Sequence, residues 1–150
     1  MAPFDSMKPG IDYIGVTCCF VCHDGQGKIL LGKRGVNCRD EHGRWDCGGG
    51  QVEHGEEFEE AVRREVMEEY GAEPIEMQFI QTRSVLREHD GVPTHWVVFL
   101  YAVLVDPAQI RNGEPHKIDE IGWFDPDELP DPLHSAFAEE VELVKQWLSS

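Results

Sequence analysis

The stretch GGGQVEHGEEFEEAVRREVMEEYGA, Gly48 to Ala72, decides how the rest of the chain is read. Its middle, from about Glu56 to Tyr70, is a run of strong helix formers without proline or internal glycine, set between three successive glycines and Gly71. That composition predicts a loop, a helix and a loop, with Gly71 closing the helix. At roughly 100° per residue, Phe58, Ala61, Val62, Val66 and Tyr70 fall on the half of the cylinder expected to face a core. Glu65 and Glu69 fall inside that same half, four residues apart and stacked, with Glu68 one step round the edge. Glu57, Glu59, Glu60 and Arg63 read as a solvated face. Carboxylates directed toward the protein carry a steep desolvation cost unless a cation offsets them, and several crowded together point to a hard divalent metal with oxygen ligands.

These residues resemble the box of the Nudix hydrolase family, GX5EX7REUXEEXGU, where U is a bulky aliphatic. Gly50, Glu56, Arg64, Glu65, Val66, Glu68, Glu69 and Gly71 fill it in order, with Ala72 at the last place. Ala72 is smaller than the usual aliphatic, and Gly48 stands where the family often has proline; neither departure removes a charge. The resemblance implies an α/β fold, an α/β/α sandwich with a mixed β-sheet between the box helix and a C-terminal helix. It implies Mg²⁺, with Mn²⁺ as a substitute. Glu65 and Glu69 are the expected principal metal ligands. Glu68 completes the site directly or through water, Gly50 contributes its backbone carbonyl, and Glu56 takes part from outside. Arg64 is expected to orient its neighbouring carboxylates. The family's catalytic base is either a box glutamate or an acid on a later loop, and Glu120, just ahead of a brief strand at Ile121, matches the loop position. The expected catalytic set is therefore Glu65, Glu68, Arg64 and Glu120.

A length of 150 residues suits one domain with one core, expected over residues 10–150 behind a flexible tail at 1–9. The formal charge of −16, from 29 acidic against 13 basic residues, works against binding long nucleic acid through its phosphates. Small anionic substrates delivered with metal fit better. With no stretch of about twenty apolar residues and no charged-then-apolar leader, neither a membrane span nor secretion is expected, which favours the cytoplasm. Five cysteines, Cys18, Cys19, Cys22, Cys38 and Cys47, form an odd set that reads as reduced thiols. Cys19 and Cys22 spell CxxC within an apparent strand, where residues three apart point to opposite faces and cannot share a metal.

Ile11 to Cys22 is an almost unbroken apolar run, the mark of a strand covered on both faces. Asp24-Gly25-Gln26-Gly27 then supplies turn chemistry and Lys28 to Lys33 the returning strand. Lys33, Arg34, Arg39 and Arg44 follow as a clustered positive charge. Arg34 is the best candidate for substrate phosphates, with Arg44 beside it and Trp45 as a candidate base contact. Met77 to Leu86 and Thr94 to Val105 predict a second antiparallel pair about His89-Asp90-Gly91, and Ile121 to Phe124 a brief strand. Asp131-Pro132 reads as the start of a last helix on which Leu133, Phe137, Val141, Val144 and Leu148 recur at helical spacing. Trp96 and Trp123 are further aromatics that can stack on a base or fill a core.

The chain's short outline resembles the family members that cleave nucleoside triphosphates between the α and β phosphates. The leading expectation is a nucleoside triphosphate pyrophosphatase releasing a monophosphate and pyrophosphate from a small nucleotide substrate. An ADP-ribose, nucleotide-sugar or dinucleoside polyphosphate hydrolase is the enzymatic alternative, and a non-catalytic nucleotide-binding regulatory domain the alternative of another class. A homodimer stays open.

Overall fold

The computed structural model describes residues 6–150. Of the tail expected over residues 1–9, the first five lie outside the described residues, and Pro9 forms an isolated bridge with Tyr13. The apolar run becomes β1 (Gly15–His23), which turns through Asp24 and Gly25 into β2 (Ile29–Arg34). Two short strands follow, β3 (Trp45–Asp46) and β4 (Gly48–Gln51), the second made of the three glycines themselves. The predicted helix is α1 (Phe58–Tyr70), closed by Gly71 at φ 70 with its N–H on the Met67 carbonyl at 2.9 Å. The second hairpin is longer than its apolar pattern, β5 (Glu76–His89) and β6 (Val92–Leu104), turning at Asp90 and Gly91. After β7 (Ile118–Phe124) the chain ends in α2 (Ser135–Ala138) and α3 (Val141–Leu148).

The sheet runs β3-β2-β1-β6-β5, with β4 added to β1 and β7 to β2. Only β1 and β6 run parallel among these pairs, from Gly15 opposite Trp96 to His23 opposite Leu104, so the sheet is mixed as expected. Alternation along β1 sends Cys18, Phe20 and Cys22 to one face, where they meet Ala61, Val62, Val66 and Tyr70 of α1. Val21, Leu31 and Leu100 point the other way, onto Phe137 and Val144 of the C-terminal helices. Cys22 and Cys19 thus stand on opposite faces, as their spacing required.

The single last helix expected from Asp131-Pro132 is corrected to two helices. Arg83 and Arg87, reaching across from β5, bind Glu139 and Glu140 between α2 and α3, with Arg83 Nη1 2.7 Å from Glu139 Oε2 and Arg83 Nη2 3.0 Å from Glu140 Oε1. His134 then caps α2, its Nδ1 accepting from the Ala136 N–H at 3.1 Å.

Candidate active site

The glycine strand β4 passes directly under α1. Cys18 pairs with Gly50, Cys19 with Gly49 and Phe20 with Gly48. A Cβ at Gly48 would come within 2.1 Å of the buried Phe20 ring, so with the ring in place this position admits only glycine. At Gly50 the approach is to the helix: a Cβ would stand 2.2 Å from the Glu65 carboxyl carbon. The Gly49 N–H donates to Glu69 Oε2 at 3.2 Å, and the Thr17 hydroxyl donates to the Gly50 carbonyl at 2.8 Å. Two inward glutamates and one backbone carbonyl are thereby gathered at the seam between helix and strand.

Both carboxyls are held above the ordinary glutamate range. At Glu69 burial is the main cause, and the charges of Glu65 and Glu114 add to it. At Glu65 burial again leads, opposed by the Arg64 guanidinium and reinforced by Glu68 and Glu114. Groups that repel one another at a half-buried seam are what a divalent cation would neutralise, so the donor set fits a hard metal ion.

Arg64 organises the outer side. Its Nε and Nη2 donate to the two oxygens of Glu56 at 2.7 and 3.0 Å, its Nη1 to Glu65 Oε1 at 2.7 Å, and its Nη2 also to the Gln51 carbonyl at 3.1 Å. The same guanidinium lies 3.5 Å from Glu68 Oε2. The two-pronged contact holds the Glu56 carboxyl down at about 2, so Glu56 is an anion at any working pH. Helix, glycine loop and glutamates are tied through this one side chain.

The structure brings Gly50, Glu56, Arg64, Glu65, Glu68 and Glu69 together. Glu120 is exposed on β7, in register with Lys33. A different acid lies close to the end of the box helix. The Arg111 and Gly113 N–H groups donate to the Tyr70 and Glu69 carbonyls at 3.0 and 2.8 Å, fixing the loop after β6 on the last turn of α1. Glu114 follows, its N–H held by Asn112 Oδ1 at 3.0 Å, and its charge is felt at both Glu65 and Glu69. The only sequence signal for it is the turn-forming Asn112-Gly113.

Beside the glutamates opens a cavity of ≈760 Å³, bounded by Gly49, Gly50 and Glu69 at one end and by Trp96 and Val98 of β6 along one wall. Arg34 lines it, with Nε and Nη2 on the Asp40 carbonyl and carboxylate, each at 3.0 Å. Arg44 and Trp45 do not line it. Arg44 Nη1 donates to the Leu133 carbonyl at 3.0 Å, and Trp45, 8% exposed, packs edge-on against Phe124 at 5.1 Å between ring centres. Trp96 is the tryptophan that does line the cavity, its indole lying over Gly10 and Gly15 with the Arg39 guanidinium 5.5 Å from its centre.

The NUDIX domain model matches residues 13–146, nearly the whole described chain. This chain belongs to the Nudix family. An uncharacterized Nudix hydrolase of Yersinia pestis is 30% identical over 131 residues, covering 86% of this chain and 68% of its own. The oxidized purine nucleoside triphosphate hydrolase of Danio rerio is 34% identical over 110 residues, covering 69% of this chain and 62% of its own, so this chain spans less than two thirds of that relative. The crystal structure of a MutT NUDIX hydrolase from Burkholderia pseudomallei superposes with a TM-score of 0.77 at 32% identity, covering 87% of this chain and 97% of that one. As a Nudix hydrolase the chain is a pyrophosphohydrolase, and Nudix enzymes in general use a divalent metal. Among the described residues no helix is long and apolar enough to cross a membrane.

Proposed function

We propose that this Nudix enzyme hydrolyses nucleoside triphosphates, using Mg²⁺ to release a nucleoside monophosphate and pyrophosphate. The observation that carries this reading is the seam of β4 and α1, where Glu65, Glu69 and the Gly50 carbonyl converge beside a cavity large enough for one nucleotide. The relative of Danio rerio is named for triphosphate hydrolysis, which supports the substrate class.

Glu65, Glu69 and the Gly50 carbonyl would hold the metal, with Glu68 at its edge. Bound there, the metal supplies charge that neutralises diphosphate oxygens and favours ionisation of water. The protein's own groups do the rest. Arg64 fixes the directions of Glu65 and Glu68 and is itself braced by Glu56. Arg34 stands on the cavity wall to meet a phosphate oxygen, at the cost of loosening its hold on Asp40. Glu114 takes the loop-acid role that the sequence suggested for Glu120: a carboxylate beside the box can accept the proton of the attacking water. Glu120 remains the comparison residue on the same stretch of chain.

Chelation tests the reading. Hydrolysis of a nucleoside triphosphate should vanish in excess chelator and return with Mg²⁺ or Mn²⁺. Undiminished turnover after exhaustive metal removal would contradict it.

A further inference from the structure

Two loops meet beside the substrate cavity. The first, residues 35–43, leaves β2 directly after Arg34. The second, residues 111–117, carries Glu114 and runs into β7, whose first residue, Ile118, pairs with Arg34 at a register shift and lines the cavity. Loops stay mobile unless their polar groups find partners, so the side chains that bind this backbone decide where Glu114 stands.

Glu114 sits on a stretch anchored at both ends. At the α1 end the Gly113 N–H donates to the Glu69 carbonyl at 2.8 Å, and a Cβ at Gly113 would stand 2.2 Å from the Glu68 carbonyl oxygen, so the chain lies flat against the last turn of the helix. At the β7 end the Lys117 and Ile118 N–H groups both donate to the Glu114 carbonyl at 2.9 Å. Asn112 then closes the loop with a single amide. Its Oδ1 accepts from the Glu114 N–H at 3.0 Å, and its Nδ2 donates to the Ile118 carbonyl at 2.8 Å. Those two bonds need an acceptor and a donor on one short side chain. A carboxylate would set lone pairs against the Ile118 carbonyl, and alanine would supply neither partner.

The brace from outside comes from the Arg34 loop. Asn37 is exposed, yet its Nδ2 donates to the His116 carbonyl at 2.7 Å across 79 positions of sequence. The Gly35 N–H and the Cys38 thiol donate to the next carbonyl, that of Lys117, at 2.7 and 3.3 Å. The same loop is folded back on Arg34, whose guanidinium holds the Asp40 carbonyl and carboxylate and whose carbonyl accepts from the Gly43 N–H at 2.6 Å. One connected set of hydrogen bonds therefore joins the arginine on the cavity wall to the backbone that presents Glu114.

We propose that Asn112 and Asn37 are positioning residues for the reaction. Asn112 fixes the backbone that presents Glu114, and Asn37 ties that loop to the segment bearing Arg34, so that the phosphate contact and the proton acceptor are held in one arrangement. This rests on Glu114 acting as the loop acid, as proposed above. Both asparagines act through Glu114 rather than on the reacting atoms.

A double-mutant cycle reads this directly, because a residue that acts only through Glu114 loses its effect once Glu114 is disabled. With a nucleoside triphosphate and Mg²⁺, Asn112→Ala should lower kcat about tenfold and Asn37→Ala about threefold, with KM within about twofold of the parent in both. In the Glu114→Gln background the same changes should each alter kcat by less than about twofold. Asn37→Ala removes one hydrogen bond at an exposed site and should melt within a few degrees of the parent, so the cycle stands even where Asn112→Ala does not fold. Hydrogen exchange supplies a readout without turnover: each substitution should speed amide exchange over residues 112–118 and leave α1 at the parental rate. Losses that add fully to that of Glu114→Gln, parental kcat in both asparagine variants, or unchanged exchange over residues 112–118 would overturn the proposal. The loop-acid reading fails differently. Parental kcat in Glu114→Gln would sink that reading and this proposal together, whereas an impaired Glu114→Gln with fully additive asparagine losses would sink this proposal alone.

Discussion

Gly50→Ala separates catalysis from stability. The added Cβ would lie 2.2 Å from the Glu65 carboxyl carbon and from its Oε1, whereas ordinary contact begins near 3.4 Å, so the carboxyl must retreat by more than about 1 Å. Gly50 is absent from the residues of positive φ, so the backbone itself accepts alanine. What gives way is the end of a side chain whose firm partner is Arg64 Nη1 at 2.7 Å. Losing that part-exposed pair costs about 1 kcal/mol or less, a fall of roughly 2–4 °C in Tm for a chain of this size. Misplacing a catalytic group by about 1 Å costs on the order of a hundredfold in rate, or about 2.7 kcal/mol in the barrier. Parallel measurements of kcat with a nucleoside triphosphate and Mg²⁺, and of Tm by circular dichroism, check both halves. A kcat within threefold of the parent would refute the placement of Glu65 over Gly50 as part of the reacting site, and a loss of more than about 10 °C would show that the glycine serves the fold.

Further outcomes follow from the same geometry. Glu69→Gln should lower kcat about a hundredfold or more, while Glu59→Gln, on the solvated face, should leave it unchanged. Because burial and its acidic neighbours raise the native Glu69 pKa above the usual 4.5, the metal-free fold binds a proton that the unfolded chain releases; the stability tied to that proton is complete below about pH 4.5 and is lost as pH climbs toward the raised value. The Tm of metal-free Glu69→Gln should therefore gain on the parent as pH rises from 5 to 8, and a gap that shrinks over that range would contradict the repulsion at the seam. Glu114→Gln should cut kcat at least tenfold with Glu120→Gln near the parent, and the reverse order in kcat would return the loop-acid role to Glu120. Arg83→Met should cost about 3 kcal/mol in urea denaturation, since it strands the buried Glu140 charge; a loss under about 1 kcal/mol would mean the pair is dispensable.

The box helix was legible because its burial follows a period. Ala61, Val62, Val66 and Tyr70 are buried where 100° steps put them, although Phe58 is 37% exposed and stacks on Phe99 instead. The strands were legible from apolar runs and turn residues, with ends displaced by a few positions. What local pattern does not carry is long-range pairing. The last helix breaks at Glu139 and Glu140 because two arginines more than fifty positions earlier bind there. Trp45 is drawn into the core because β3 is stitched to the segment before α2, its N–H on the Pro132 carbonyl at 2.9 Å and its carbonyl on the His134 N–H at 2.8 Å. Glu114 escaped notice for the same reason: two backbone bonds to the end of α1 bring it to the box, and no motif in the chain announces them. Positive charge near Lys33 to Arg44 was visible, but only geometry shows Arg34 on the cavity and Arg44 turned to the Leu133 carbonyl.

The central claim is hydrolysis of a nucleoside triphosphate at the seam of Gly50, Glu65 and Glu69. Product analysis by ion-exchange chromatography after incubation with Mg²⁺ and each of the common nucleoside triphosphates tests it most directly. Stoichiometric nucleoside monophosphate and pyrophosphate, formed by the parent and lost in Glu69→Gln, is the predicted result. Intact triphosphates alongside cleaved nucleotide sugars or dinucleotides, or products formed equally by Glu69→Gln, would contradict it.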